Sequence, residues 1–61
     1  MTSDDVRRLA DFLAAVTEAT TKYGVEIGAY GPADIRINDD EVMQMRWDAE
    51  RSQYDATPQS A

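Results

Sequence analysis

Histidine and cysteine are both absent from this sequence of 61 residues. Their absence excludes a Ser-His-Asp triad, a cysteine nucleophile and an imidazole acid or base. It also removes the usual ligands of zinc and haem, and any disulfide that could reinforce so small a domain. No pair of carboxylates has the signature of a glycosidase or an aspartic protease. The sequence therefore predicts a protein that is not an enzyme, with no catalytic residue, no metal site and no cofactor.

Basic residues are few, because six lysines and arginines stand against twelve acidic residues and leave a net charge of -6. Such a chain offers no basic surface for phosphates, so general nucleic-acid binding is not expected. No apolar run approaches the roughly 18 residues of a membrane-spanning helix, and the sequence opens without the basic segment of a signal peptide. With 43% hydrophobic and 30% charged residues, the composition is typical of a soluble folded domain. We expect it in the cytoplasm, away from membranes.

Residues 3–23 carry the apolar spacing of an amphipathic helix. Thr2 or Ser3 can cap this helix, acidic residues occupy its first turn, and Gly24 can end it. The residues that form or widen the predicted apolar stripe are Val6, Leu9, Phe12, Leu13, Val16, Ala19, Thr20 and Tyr23.

Beyond the helix the period of the apolar residues changes from 3.6 to 2. In residues 25–30 every second residue is apolar, which predicts a strand with one buried face. Residues 34–37 show a second alternation and predict a second strand. We expect the two strands to form a hairpin broken at Gly31-Pro32, and residues 38–40 to form a turn.

The segment 41–54 fits two interpretations. As a β segment it gives a strand over residues 42–48, a turn, and a short strand over residues 52–54. The alternation that supports this interpretation places Met43, Met45 and Trp47 on one face and Val42, Gln44 and Arg46 on the other.

A helix is the alternative for the same segment. It is rich in good helix formers, and Asn38 with Glu41 has the spacing of a capping box. The β interpretation gives the predicted fold: a single α+β domain over residues 1–54, with the N-terminal amphipathic helix packed on a small antiparallel sheet of three or four strands. Residues 55–61 are expected to form a mobile tail, because they have nothing to bury.

Three glycines and a run of carboxylates invite functional interpretations that their spacing does not support. Gly24, Gly28 and Gly31 follow a helix, whereas phosphate-binding glycines precede one. Gly31 is expected to turn the chain, and Gly28 to allow close approach of another chain or a ligand. The three adjacent carboxylates of residues 39–41 cannot all point at one ion, so we expect a solvated turn.

The face of the sheet that the helix leaves uncovered is the candidate binding surface. Strand parity sends seven side chains there: Glu26, Tyr30, Asp34, Arg36, Val42, Gln44 and Arg46. Arg36 and Arg46 could clamp an anion, with Tyr30 as a stacking surface and Gln44 as a further candidate binding residue on the same face. The arginines could equally balance Glu26 in surface ion pairs.

Three segments of the chain resemble small actinobacteriophage accessory proteins. They are residues 9–13 (LADFL), 22–31 (KYGVEIGAYG) and 46–54 (RWDAERSQY). The resemblance implies a helix, a strand and a hairpin in that order, which supports the β interpretation of residues 42–54. It also implies stoichiometric action inside the host cell, since small phage proteins usually bind a host protein or trap a host defence signal.

Three functions follow as hypotheses. The first is a binding protein that inhibits or counteracts a host factor. The second is an oligomeric trap for a nucleotide-like signal or another small anionic ligand, and the third is a virion or scaffold component. A homo-oligomer, a dimer or higher, is expected in each case, because so small a core gains stability from a second copy.

Overall fold

The computed structural model describes residues 2–38 and 41–58, in which one helix packs on a three-stranded antiparallel sheet. Helix α1 spans Ser3–Tyr23, and strands β1, β2 and β3 span Ala33–Ile37, Glu41–Asp48 and Gln53–Pro58. The strands lie in the order β1-β2-β3, so the sheet is a simple meander with β2 in the centre. The α+β class predicted from the sequence is confirmed.

Helix α1 begins and ends as its sequence predicts. Thr2 is the N-cap, and a reciprocal pair of hydrogen bonds joins it to Asp5 as a capping box. At the other end Gly24 adopts a φ of 70°, the left-handed conformation that glycine reaches without steric cost, and its N–H donates to the Thr20 carbonyl.

Residues 41–54 are β structure, and the helical alternative is wrong. The turn between β2 and β3 explains why: the Asp48 carboxylate accepts hydrogen bonds from the backbone N–H groups of Glu50 and Arg51. Ser52 then adopts a φ of 55°, and the chain returns with Gln53 opposite Asp48. Local side-chain to backbone bonds of this kind compete with a helix and favour a hairpin.

The strand predicted over residues 25–30 is wrong, and so is its hairpin with residues 34–37. Gly28 takes a φ of 78° and its carbonyl accepts the Gly31 N–H, so the chain makes a turn where the strand would run. A Cβ atom at Gly28 would lie 2.6 Å from the Gly31 carbonyl oxygen. The close approach expected at Gly28 is therefore to its own chain. Strand β1 pairs with β2 instead, with Ile35 opposite Met43.

The tail predicted to be mobile contributes a strand over most of its length. Residues 55–58 belong to β3, where Asp55 lies opposite Arg46 and Ala56 opposite Met45. Pairing with the second edge of β2 supplies the backbone hydrogen bonds that residues 55–58 would otherwise lack. The remaining tail residues, 59–61, lie outside the described part of the chain, as do Asp39 and Asp40 of the predicted turn.

The core lies between α1 and the inner face of the sheet, and it is small. Its buried hydrophobic residues are Ile37, Met43, Met45 and Tyr54. Trp47, predicted for the core, is half-buried and packs edge-to-face on Tyr54 with ring centroids 5.0 Å apart.

The helix packs mainly on β3, which leaves part of its predicted stripe uncovered. Leu9, Leu13, Val16 and Thr20 are half-buried as expected. Val6, at the start of the stripe, is exposed, and so are the three residues predicted to widen it, Phe12, Ala19 and Tyr23.

Candidate functional site

The outer face of the sheet carries three of the predicted site residues. The pairing register places Arg36 on β1 opposite Val42, and Gln44 on β2 opposite Asp34. Arg46 lies four residues beyond Val42 on the same strand, which separates the two arginines by about 13 Å along β2 at 3.3 Å per residue. The register therefore places both arginines on the outer face, as strand parity predicts, but on different strands and not side by side.

Arg36 and Arg46 are both exposed, and within residues 2–38 and 41–58 neither makes an ion pair. Arg46 lies directly opposite Asp55, a residue that the sequence had assigned to the tail. Glu26, the predicted partner of the arginines, belongs to no strand and does not pair with either of them. Arg36 lies on an edge strand, and its nearest acidic neighbour along β1 is Asp34.

Tyr30 does not join the sheet face. It lies at the tip of the turn closed by Gly28 and Gly31, and its side chain is fully exposed, at 106% of the reference area. Strand parity placed it beside Arg36 only because residues 25–30 were read as a strand. The structure therefore does not bring the four predicted binding residues together.

The segment around Tyr30 forms an exposed apolar surface of its own. We call residues 23–30, which are the last residue of α1 and the segment that follows it, the apolar loop, because their large side chains are exposed. The exposed large hydrophobic residues in it are Tyr23, Val25, Ile27 and Tyr30. Glu26 is the only acidic or basic residue in the loop.

Tyr54 holds the apolar loop in place. Its hydroxyl accepts a hydrogen bond of 2.8 Å from the Ile27 backbone N–H and shares one of 2.6 Å with the Thr20 hydroxyl. The Tyr54 backbone N–H donates to the Thr17 hydroxyl at 3.0 Å. This cluster is not among the sites predicted from the sequence, although two threonines on the inner face of α1 indicate that polar groups lie opposite them.

A second cluster joins the start of α1 to the end of β1. Asp5 is buried, at 8% exposure, and accepts hydrogen bonds from the Asn38 amide and the Arg8 guanidinium at 3.1 and 3.2 Å. Asn38 stands in the left-handed region at φ 59°, a conformation that asparagine tolerates better than most residues. The Thr2 backbone N–H and the Asn38 amide hold the pKa of Asp5 below its ordinary value, against partial burial, which raises it.

The lowered pKa of Asp5 predicts a loss of stability in acid. A carboxylate whose folded pKa is depressed stabilises the fold above its unfolded pKa, about 3.9, and that contribution is lost as the pH falls below this value. At neutral pH, D5N is expected to melt at a lower temperature than the wild type, and the gap is expected to close as the pH falls through 4 and below. Thermal melts by circular dichroism across this pH range test it.

D4N is the matched control for this prediction. Asp4 also lies in the first turn of α1, but it is exposed. D4N removes the same charge but keeps the Asp5 carboxylate and its hydrogen bonds. The melting temperature of D4N should therefore follow that of the wild type across the pH range. A gap between D5N and the wild type that stays constant with pH would contradict the role given to the Asp5 carboxylate.

A groove opens between α1 and β1 beside this cluster. It has a volume of about 470 Å³ and is lined by Arg8, Leu9, Phe12, Ile35, Arg36 and Ile37. A second depression, of about 510 Å³, lies on the outer side of β1 and is lined by Asp34, Ile35, Arg36 and Val42. Both faces of β1 are therefore open beside its free edge.

Within residues 2–38 and 41–58 no group of three or more acidic side chains is arranged to hold a metal ion. No helix in those residues is long and apolar enough to cross a membrane.

The chain was compared with models of protein families, with curated proteins and with solved structures, and none of them matches it.

Proposed function

We propose that this chain is a non-enzymatic binding protein that acts by stoichiometric binding to another protein. In line with the resemblance of residues 9–54, it is a phage-type accessory protein that counteracts a host factor in the host cytoplasm. The observation that carries the proposal is the apolar loop, in which four large side chains lie in solvent within eight residues.

The apolar loop has the chemistry of a protein-binding surface. Tyrosine is enriched among the residues that dominate binding energy, because it buries a large area and loses little conformational entropy. Tyr30, at the tip of a turn, can enter a pocket on a partner without moving the rest of the fold. Val25 and Ile27 supply apolar area beside it.

The loop is also ordered before it binds. The bond from the Ile27 N–H to Tyr54 and the turn between Gly28 and Gly31 fix it at two points. A segment that is already ordered loses less entropy on binding than a flexible one does. The net charge of -6 favours a partner whose apolar site has a basic rim.

Replacing Tyr30 by alanine tests the proposal. We expect Y30A to fold like the wild type and to bind its partner at least about 30-fold more weakly, the loss of roughly 2 kcal/mol that defines a binding hot spot. Tagged wild-type protein is expressed in an actinobacterial host, its co-purifying molecules are identified by mass spectrometry, and the affinity of the partner is then measured by calorimetry. E50A, in the exposed turn of the opposite hairpin, is the control and should bind like the wild type.

The outcomes separate the hypotheses. A host protein recovered in a fixed ratio with the wild type and lost with Y30A supports the proposal. A host protein that binds Y30A and the wild type equally contradicts the role of the loop. Recovery of a small molecule alone contradicts the proposal as a whole.

A trap for a small anionic ligand is the second candidate, and the groove between α1 and β1 favours it. Its volume of about 470 Å³ is within the range of ligand pockets, and it contains Phe12 for stacking and Arg36 for an anion. Arg8 is less available, because its guanidinium bonds to Asp5 and Asn38. The same mass spectrometry would detect such a ligand, and R36A would release it.

A further inference from the structure

We propose that two copies of this chain join through the free edges of β1, in antiparallel pairing about Ile35, to form a six-stranded sheet with both helices on one side. This inference goes beyond the proposed function, because it concerns a second surface and names its occupant. It rests on the direction of the backbone groups of β1, on the charges of Asp34 and Arg36, and on the open space on both faces of the strand.

Backbone direction is the first step. In an antiparallel sheet the N–H and C=O groups of successive residues alternate between the two edges of a strand. The Tyr54 N–H donates to Thr17 and not to β2, so the backbone groups of Tyr54 point away from β2 and those of Asp55 and Thr57 point toward it. Arg46 and Gln44 lie opposite Asp55 and Thr57 and face β3, which leaves Met43 facing β1. Because Met43 lies opposite Ile35, the backbone groups of Ile35 point toward β2.

The groups of Asp34 and Arg36 therefore point away from the sheet. In residues 2–38 and 41–58 no backbone or side-chain hydrogen bond reaches these outward groups. Strand β1 thus presents two unpaired N–H groups and two unpaired C=O groups, which form a template for another strand.

Charge selects the partner and the register. A two-fold axis can place Asp34 opposite Asp34 of the second copy, Arg36 opposite Arg36, or each Asp34 opposite the other copy's Arg36. The first two registers set like charges directly against each other, which is unfavourable. The third, centred on Ile35, makes two pairs of opposite charges and four backbone hydrogen bonds. It also pairs all five residues of β1.

The groove and its companion depression leave room for this pairing. They lie on the two faces of β1, so within residues 2–38 and 41–58 neither face of the edge is covered. In the proposed dimer, Ile35 of each copy meets Ile35 of the other on the inner face. Phe12, which lines the groove with Ile35, is 47% exposed in the single chain.

Charge reversal on β1 tests the proposal. The wild type is expected to have twice the 6.8 kDa mass of one chain by light scattering at micromolar concentration. D34R sets the introduced arginine against Arg36 of the other copy, and R36D sets the introduced aspartate against Asp34, so each variant alone should have the mass of one chain. The double variant D34R/R36D restores opposite charges and should be a dimer again.

Mixing the two single variants gives the most specific result. D34R carries only positive charges on this edge and R36D only negative ones, so an equimolar mixture should form a heterodimer, identified by its mass in native mass spectrometry. R51D, an equal charge reversal in the exposed turn after β2, is the control and should remain a dimer. Its side chain is 71% exposed, and it lies far from β1 along the chain.

Each outcome decides the proposal. Single variants that are monomers, together with a mixture that is a dimer, support the proposal. If the single variants unfold when alone, a mixture that regains its structure by circular dichroism supports it as well. A wild type with the mass of one chain or of more than two would overturn it. Single variants that remain dimers, or a mixture that fails to form the heterodimer, would overturn the register.

Discussion

Replacing Met45 by alanine is expected to lower the free energy of unfolding by about 2–5 kcal/mol, the range for truncating a buried methionine. Met45 is the most completely buried large side chain, at 2% exposure, and lies on the central strand. A chain of 61 residues has a total stability of about 3–9 kcal/mol at the usual 0.05–0.15 kcal/mol per residue. M45A is therefore expected to be largely unfolded or close to its midpoint at 25 °C. Urea denaturation followed by Trp47 fluorescence measures the loss.

The neighbouring residue provides the control. Gln44 faces the outer side of the same strand, so Q44A creates no cavity and should change the free energy of unfolding by less than about 0.5 kcal/mol. The two variants must be compared at one protein concentration, because self-association stabilises the folded state. Equal losses in M45A and Q44A would contradict the assignment of inner and outer faces.

Removing the hydroxyl of Tyr54 is expected to lower the free energy of unfolding by about 1–3 kcal/mol, as for buried groups left without a partner. Y54F keeps the ring that packs on Trp47 but deprives the Ile27 N–H and the Thr20 hydroxyl of their shared partner. In a domain of this size each kcal/mol lowers the melting temperature by about 4–8 °C. The amide of Ile27 should also exchange its hydrogen faster, since its only hydrogen bond inside the described structure is lost.

Y30F makes the same chemical change on a fully exposed ring. Tyr30 has no hydrogen-bond partner in the part of the chain that is described, so Y30F should melt at the temperature of the wild type. A melting temperature of Y54F equal to that of Y30F would show that the Tyr54 hydroxyl does not hold the apolar loop.

The helix and the second half of the sheet could be read from the sequence because their signals are local. A cap at Thr2, an apolar stripe and a glycine stop fix the bounds of α1 within the segment itself. The alternation of Met43, Met45 and Trp47 was ambiguous alone. Asp48 decides between strand and helix, because its carboxylate accepts hydrogen bonds from the backbone N–H groups of Glu50 and Arg51 and so forms a turn.

The strand predicted over residues 25–30 is wrong because alternation of apolar residues is not sufficient to form a strand. Gly28 satisfies the pattern, yet its positive φ and its bond with Gly31 turn the chain. The opposite error occurred at residues 55–58, where polar composition predicted a tail. A vacant edge on β2 is a tertiary feature, and a sequence read segment by segment does not show it.

The candidate site depended on the same two errors. Placing Tyr30 on the same face as Arg36 required a strand at residues 25–30, and assigning residues 55–61 to a tail overlooked Asp55, which lies opposite Arg46. The groove beside Phe12 could not be foreseen, because it exists only where α1 packs on β3 and leaves β1 uncovered.

The two edges of the sheet differ in the backbone groups that they offer a neighbour. At the edge of β3, Thr17 accepts the Tyr54 N–H and Pro58 has no N–H, which leaves the Ala56 N–H as the outward donor of that strand in the described part of the chain. Strand β1 has two outward N–H groups and is therefore the better template. If two copies pair through β1 as proposed, the edge left at each end of the joined sheet is the poorer one, and this asymmetry disfavours the growth into fibres that two equivalent edges would allow.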